Sequence, residues 1–246
     1  MPGDWLGLAG RRVLVAGGAG TIGAALVAGF LDAGATVGVL DLETDAVDSR
    51  VAATLAADLA DGDAARAAVA AIRDRLGGLD VFVHCVGIND RRPIESYDGA
   101  DWDRIMAVNL SSAFHTATAA ATGMRDQGSG RIVFFSSVAG RSGHRLHGPY
   151  AASKGGINQL MRVLAHEYAQ HGVTANAVAP GYMDTALTAD HLEAHPETRR
   201  TLEQLIPAGR FGTLEEVVGP VLFLCSPHAS FITGQVLYID GGRTIV

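Results

Sequence analysis

Residues 13–41 read VLVAGGAGTIGAALVAGFLDAGATVGVLD, and this stretch decides the fold. Val13–Ala16 is a short apolar run, Ile22–Ala33 has a helical pattern, and Thr36–Leu40 is a second apolar run that ends at Asp41. Strand, glycine-rich turn, helix and strand in that order form a βαβ unit, which places the two strands parallel. Gly17 permits a tight turn, Gly20 lets backbone N–H groups approach a phosphate, and Gly23 lets the helix pack closely on the strand. Asp41 closes the second strand, where a carboxylate accepts hydrogen bonds from an adenosine ribose.

The same rhythm continues outward. Val51–Leu55, Val81–Cys85, Ile132–Phe135, Ala175–Val178 and Val236–Ile239 read as further strands. Asp63–Leu76, Asp101–Arg125, Ala151–Gln170 and Leu214–Cys225 read as helices between them, and Ile157, Leu160, Met161, Leu164 and Tyr168 form one apolar face of the third. Short strands without polar alternation, each followed by a helix, predict a parallel sheet covered on both faces. The expectation is a single α/β domain over residues 1–246, a three-layer doubly wound parallel sheet (Rossmann fold). The charged segment 186–206 interrupts the rhythm beside the expected crevice and reads as a substrate lid or a solvated helix pair.

Composition narrows the class. The chain has 246 residues, 48% of them hydrophobic, and a formal net charge of −7, which argues against nucleic acid as a partner. Only Cys85 and Cys225 occur, so neither a disulfide framework nor a metal site is expected, and a cytoplasmic location fits. Arg11-Arg12 before an uncharged run imitates an export signal or a membrane span, but the run's glycines and its continuation into a second strand argue against both.

The chemistry gathers in Ser136–Gly156, SSVAGRSGHRLHGPYAASKGG. Tyr150 and Lys154 are four apart at the start of a helix and share a face. Ser137 stands upstream across a glycine- and histidine-rich loop. The set suggests proton transfer at a substrate hydroxyl or carbonyl. For a phenol to act as a base near neutrality its pKa must fall by roughly three units, about 4 kcal/mol. An exposed ion pair supplies only ~0.5 kcal/mol, so the ammonium must act in a water-poor cleft with a second positive charge nearby. An oxidised nicotinamide is such a charge.

The glycine loop, Asp41 and the Ser137/Tyr150/Lys154 set together resemble the short-chain dehydrogenase/reductase family in its compact form, over essentially the whole chain. On the resemblance, Asn109 in MAVNLSSAF completes a catalytic tetrad with Ser137, Tyr150 and Lys154 and holds a water that leads from Lys154 to solvent. Gly17, Gly20, Thr21, Ile22, Gly23, Asp41, Leu42, Asp58, Leu59, Cys85, Gly87, Pro180, Gly181, Met183 and Thr185 fall at cofactor-binding positions, with Tyr150 and Lys154 shared. Ala16 and Thr21 depart from the family's glycine loop, and His84-Cys85-Val86-Gly87 stands where the family has N-N-A-G, so the usual bracing of the central strands must be made differently or lost.

No Lys or Arg occurs between Val13 and Ser49, while Asp41, Glu43 and Asp45 cluster at the strand end, so NAD(H) is expected over NADP(H). The implied activity is interconversion of a secondary alcohol and a ketone. Arg91, Arg92, Arg141, His144, Arg145 and His147, with Ser137, are candidates for a substrate-binding rim, and they lean the substrate towards an anion or polyol. GINDRRPIE, PGYMDTALT and IPAGRFG look most like gluconate 5-dehydrogenase-like members that act on sugar acids. A 3-oxoacyl or other hydrophobic ketone reductase is the alternative, and a non-catalytic NAD-binding protein is a further one. The resemblance also implies a homotetramer built on the Tyr150 helix and the Leu214–Cys225 helix.

Overall fold

The computed structural model describes residues 5–184 and 196–246. Seven parallel strands run in the order β3-β2-β1-β4-β5-β6-β7. They are β1 Arg12–Ala16, β2 Thr36–Asp41, β3 Ala53–Ala56, β4 Val81–His84, β5 Gly130–Phe135, β6 Val173–Pro180 and β7 Val236–Ile239. Helices α1 Thr21–Asp32 and α2 Gly62–Leu76 follow the first and third strands, and α3 Gly99–Met106 and α4 Ser112–Gln127 precede β5. Then come α5 Gly148–Tyr168, α6 Pro196–Glu203 and α7 Leu214–Cys225.

Successive residues along each strand face opposite layers, and here both layers are dry. Leu14, Phe82, Ile132 and Phe134 pack beneath α2, α4 and α5 with Ile72, Met124, Ile157 and Met161. Val13, Val15, Val83 and Val133 face the other way, against Leu26 and Phe30 of α1 and Val221 of α7. This two-sided burial explains why the strands show no polar alternation. On α5, Ile157, Met161 and Leu164 are buried, with Leu160 and Tyr168 packed at the core's margin.

Three expectations are corrected. The third strand starts at Ala53 rather than Val51, because Val51 closes a turn with its N–H on Asp48 O (3.0 Å). The helix read as continuous over 101–125 is broken: a π-helical turn at Ala107–Ser111 separates α3 from α4. The helix begins earlier than Asp101, because Asp98 caps α3 and Asp101 returns the bond in a capping box.

From β1 the chain winds outward through β2 and β3, then returns to the other side of β1 as β4. That reversal opens a crevice beyond the carboxyl ends of β1 and β4, the position where open α/β sheets bind ligands.

Candidate active site

The glycine loop forms the floor of the crevice. Gly17 has φ +84°, and a Cβ there would lie 2.9 Å from Val86 N. At Gly23 a Cβ would lie 1.9 Å from Gly17 O, so the first turn of α1 sits directly on the loop. At Gly20 a built Cβ would lie 3.6 Å from Gly17 O, an ordinary contact. Gly20 also caps α1 without a side-chain bond, so the helix's first N–H groups, starting at Thr21, face the crevice. The Asp41 carboxylate accepts hydrogen bonds from Ala19 N (2.9 Å) and Leu42 N (2.8 Å). A cavity of about 220 Å³ opens beside it, lined among others by Gly20, Leu42, Asp58, Leu59, Cys85 and Gly87.

Further along lies a cleft of about 540 Å³, whose wall includes Ile22, Ser137, Tyr150, Lys154, Pro180, Gly181 and Met183. The Ser137 hydroxyl, which accepts from Ala139 N (3.1 Å), shares the cleft wall with the Tyr150 phenol. Lys154 is buried, its Nζ donating to Phe135 O at 2.8 Å and lying 5.7 Å from the Tyr150 ring centroid. Burial lowers the Lys154 pKa to about 8. The same cause raises that of Tyr150, against the opposing pull of the nearby Ser137 hydroxyl and the Arg91 charge.

Asn109 lies in the π turn, which puts its side chain inside the fold rather than along a helix face. Its Oδ1 accepts from Ile88 N (2.8 Å), and its Nδ2 donates to Ile88 O and Ser153 Oγ, both at 3.0 Å. Ser153 Oγ in turn donates to Tyr150 O at 2.7 Å. A polar chain thus joins the segment after β4 to the helix carrying Tyr150 and Lys154.

The bracing is made differently, not lost. His84, fully buried, pairs its Nε2 with Ser112 Oγ (3.0 Å), and Ser112 Oγ donates to Val108 O. Because that hydroxyl's proton is spent on Val108, the histidine donates from Nε2. Burial above all, and then the Lys154 charge, push the His84 pKa down to about 3, so the ring stays neutral. Cys85 Sγ donates to Ala16 O (3.1 Å) and Gly17 O (3.3 Å), which ties β4 to the glycine loop.

The predicted rim is dispersed. Arg91 lines the cleft and makes no ion pair among the described residues. Arg92 turns away from it and pairs with Asp90 (2.8 Å) and Asp101 (2.7 Å), which corrects its expected place on the substrate side. His144, Arg145 and His147 stay on the corner before α5 and off the cleft wall, though the His147 ring is 5.9 Å from that of Tyr150. Arg141 lies over Tyr238, 5.3 Å from its ring centroid, beside a separate surface groove. Burial together with His147 and Arg243 lowers the His144 pKa.

Thr185 lies outside the described residues, as does the first part of the expected lid. Within the described part, Arg199 bridges Asp184 (2.8 Å) and Glu203 (2.9 Å), and Leu202 reaches the cleft. Sequence reasoning missed Phe135, Ile88, Asn89, Tyr182, Leu202 and Phe211 on the cleft wall, and Ser153 behind it. Ser153, between Tyr150 and Lys154, carried a signal as a polar residue on a buried helical turn. The Phe135 carbonyl carried none.

A doubly wound sheet whose crevice holds a glycine loop, a terminal aspartate, and Ser137 and Tyr150 beside a buried lysine has the architecture of an oxidoreductase. A family model described as enoyl-(acyl carrier protein) reductase matches residues 17–244. The chain is 36% identical to a gluconate 5-dehydrogenase of Gluconobacter oxydans, covering 98% of each. It is 38% identical to an acetoacetyl-CoA reductase of Synechocystis, covering 97% of this chain and 98% of the relative. The solved structure of a gluconate 5-dehydrogenase from Burkholderia cenocepacia in complex with NADP and tartrate superposes with a TM-score of 0.91 at 34% identity, covering 99% of this chain and 98% of that one. The chain belongs to the short-chain dehydrogenase/reductase family and is an oxidoreductase of the dehydrogenase/reductase type.

Proposed function

We propose that this protein interconverts a secondary alcohol and a ketone on a sugar acid or polyol, with NAD(H) as cofactor. The reading is carried by one observation: the Ser137–Tyr150 pair and the buried Lys154 open into one cleft with Arg91, at the crevice where the glycine loop ends. The residues fit a dinucleotide. Uncapped N–H groups at the start of α1 suit a pyrophosphate, and Asp41 suits a ribose diol. When bound, the cofactor supplies hydride chemistry.

The chain's own residues do the rest. Ser137 orients the substrate oxygen and donates to it as charge develops. Tyr150 exchanges the hydroxyl proton. Lys154, held by Phe135 O, places an ammonium under the phenol, and Asn109 fixes Ile88 and Ser153 around them. Tyr150→Phe is expected to lose nearly all turnover while NADH still binds, read by fluorescence titration; near-normal turnover rejects the assignment.

Support for NAD over NADP is local. Arg50, the first cation after the Val13–Ser49 stretch, is already held by Asp32 (2.8 Å) and Asp48 (2.7 Å). A 2′-phosphate beside Asp41 would meet a carboxylate with no cation to offset it. The substrate leaning rests on Arg91, since a guanidinium in a cleft with no carboxylate partner among the described residues suits an anionic or hydroxyl-rich ligand. A second reading has its own support: Tyr182, Met183, Leu202 and Phe211 make part of the wall apolar, which favours a hydrophobic ketone or 3-oxoacyl substrate. We also read the protein as a cytoplasmic homo-oligomer, on the open edge of β7 with Leu237 and the exposed Phe114 and Val163.

A further inference from the structure

Arg91 and Arg92 are neighbours with opposite surroundings. Arg91 lines the cleft, while the Arg92 guanidinium bridges Asp90 and Asp101, donates to Ser96 O (3.3 Å) and lies 4.7 Å from the Tyr97 ring centroid. Arg104 approaches the same two carboxylates at 3.7 and 3.9 Å, so the ions form a network rather than an isolated pair.

This network reaches the catalytic helix. Arg92 N donates to Leu146 O at 3.2 Å, and the Tyr97 hydroxyl spans Leu146 O and Asp90 O. Leu146, four residues before Tyr150, has φ +67°, the left-handed conformation that a leucine adopts only under constraint. It is the one non-glycine residue among those described with a positive φ. Two residues on, Gly148 packs against Ile94 so closely that a Cβ would lie 3.2 Å from it. Residues 90–97 and the corner 145–148 are therefore joined by backbone, phenol and side-chain contacts, and the guanidinium braces the 90–97 side of the join by holding Asp90, Ser96 O and the Tyr97 ring that reaches Leu146 O.

We propose that Arg92, Tyr97 and the Leu146 carbonyl form a clasp that fixes the distance between Arg91 and Tyr150, so that Arg92 sets substrate selectivity as a positioning residue while Arg91 meets the substrate. Arg91 projects from the clasped segment and Tyr150 from the clasped corner. A substrate held by its anionic end at Arg91 presents its carbinol to Tyr150 only at one separation, and positional error of this kind is costly in rate and binding. The selectivity part rests on the anionic-substrate reading above; the mechanical part does not.

The two parts are tested separately, hydrogen exchange on the NADH-bound protein and steady-state kinetics with gluconate and NAD+. In Arg92→Ala, hydrogen exchange is expected to quicken at least tenfold in peptides covering both 88–97 and 144–150. Quickening confined to 88–97 overturns the clasp. For gluconate, Arg92→Ala is expected to raise KM about tenfold with kcat changed less than threefold and NADH affinity unchanged, and Arg92→Lys, which cannot bridge two carboxylates and stack, recovers only part. A loss shared equally by KM, kcat and NADH affinity marks a general structural role and overturns the selectivity claim. If Arg91→Ala leaves the gluconate KM unchanged, or gluconate is not turned over, the anionic-substrate reading and the selectivity claim fall together, and the exchange result still decides the clasp.

Discussion

Lys154 gives the sharpest quantitative test. Burial lowers its pKa from 10.5 to about 8, so the folded protein holds a charge it would rather release. The sign follows from proton counting. Between pH 8 and 10.5 the unfolded chain keeps a proton that the folded chain has lost, so stability rises with pH across that window. Below pH 8 both states are protonated, and the folded state bears the whole penalty, about 3 kcal/mol from the size of the shift. Its bond to Phe135 O offsets part of this, at about 1.5–3 kcal/mol for a charged donor.

Lys154→Met removes the charge and the bond together while keeping the side chain's length. Stability at pH 7 is therefore expected to change by no more than about 1–2 kcal/mol, despite loss of a fully engaged residue. The decisive quantity is the pH dependence. Urea unfolding without cofactor should show the wild type gaining about 2 kcal/mol on the variant between pH 7 and pH 9.5, with other titrating groups common to both proteins. A difference between the two that stays constant with pH, within about 0.5 kcal/mol, refutes a charged, desolvated Lys154.

Other outcomes follow from single contacts. Gly23→Ala puts a methyl group into Gly17 O, so NADH affinity should fall by at least tenfold in a fluorescence titration, because the loop must move to admit it. Ser112→Ala leaves His84 without its partner and should cost about 1–3 kcal/mol in chemical denaturation. Asp41→Ala should narrow the ratio of kcat/KM between NAD and NADP; a native preference for NADP refutes the cofactor assignment. The depressed pKa of His84 stabilises the fold above the unfolded value near 6.5, and this is lost as pH falls towards 3, so a His84→Asn variant should show a shallower acid transition.

Some of the site was legible because its signals are local. Gly17 announces a turn with positive φ and Gly23 a close approach that no Cβ could make, and Asp41 stands at a strand end that the apolar pattern marks. Tyr150 and Lys154 share a helical face by spacing alone. Other features depend on residues distant in sequence. The π turn at Ala107–Ser111 hides within an unbroken apolar pattern, yet it is what turns Asn109 inward towards Ile88 and Ser153. His84 read as a departure from the family pattern, and only its pairing with Ser112 shows what replaces the missing brace. The phenol's raised pKa depends on burial, which spacing does not report.

By itself the sequence determined the layered parallel sheet, because two-sided burial leaves an uninterrupted apolar record in every strand. It also determined which residue types meet at the crevice. Only the tertiary structure decided how neighbouring charges divide their tasks. Arg91 and Arg92 are chemically identical and adjacent, but Asp101 and Tyr97 capture one and leave the other facing the cleft. The reason is physical: a guanidinium goes to the carboxylates within its reach, and that reach is set by packing between segments that sequence order keeps apart.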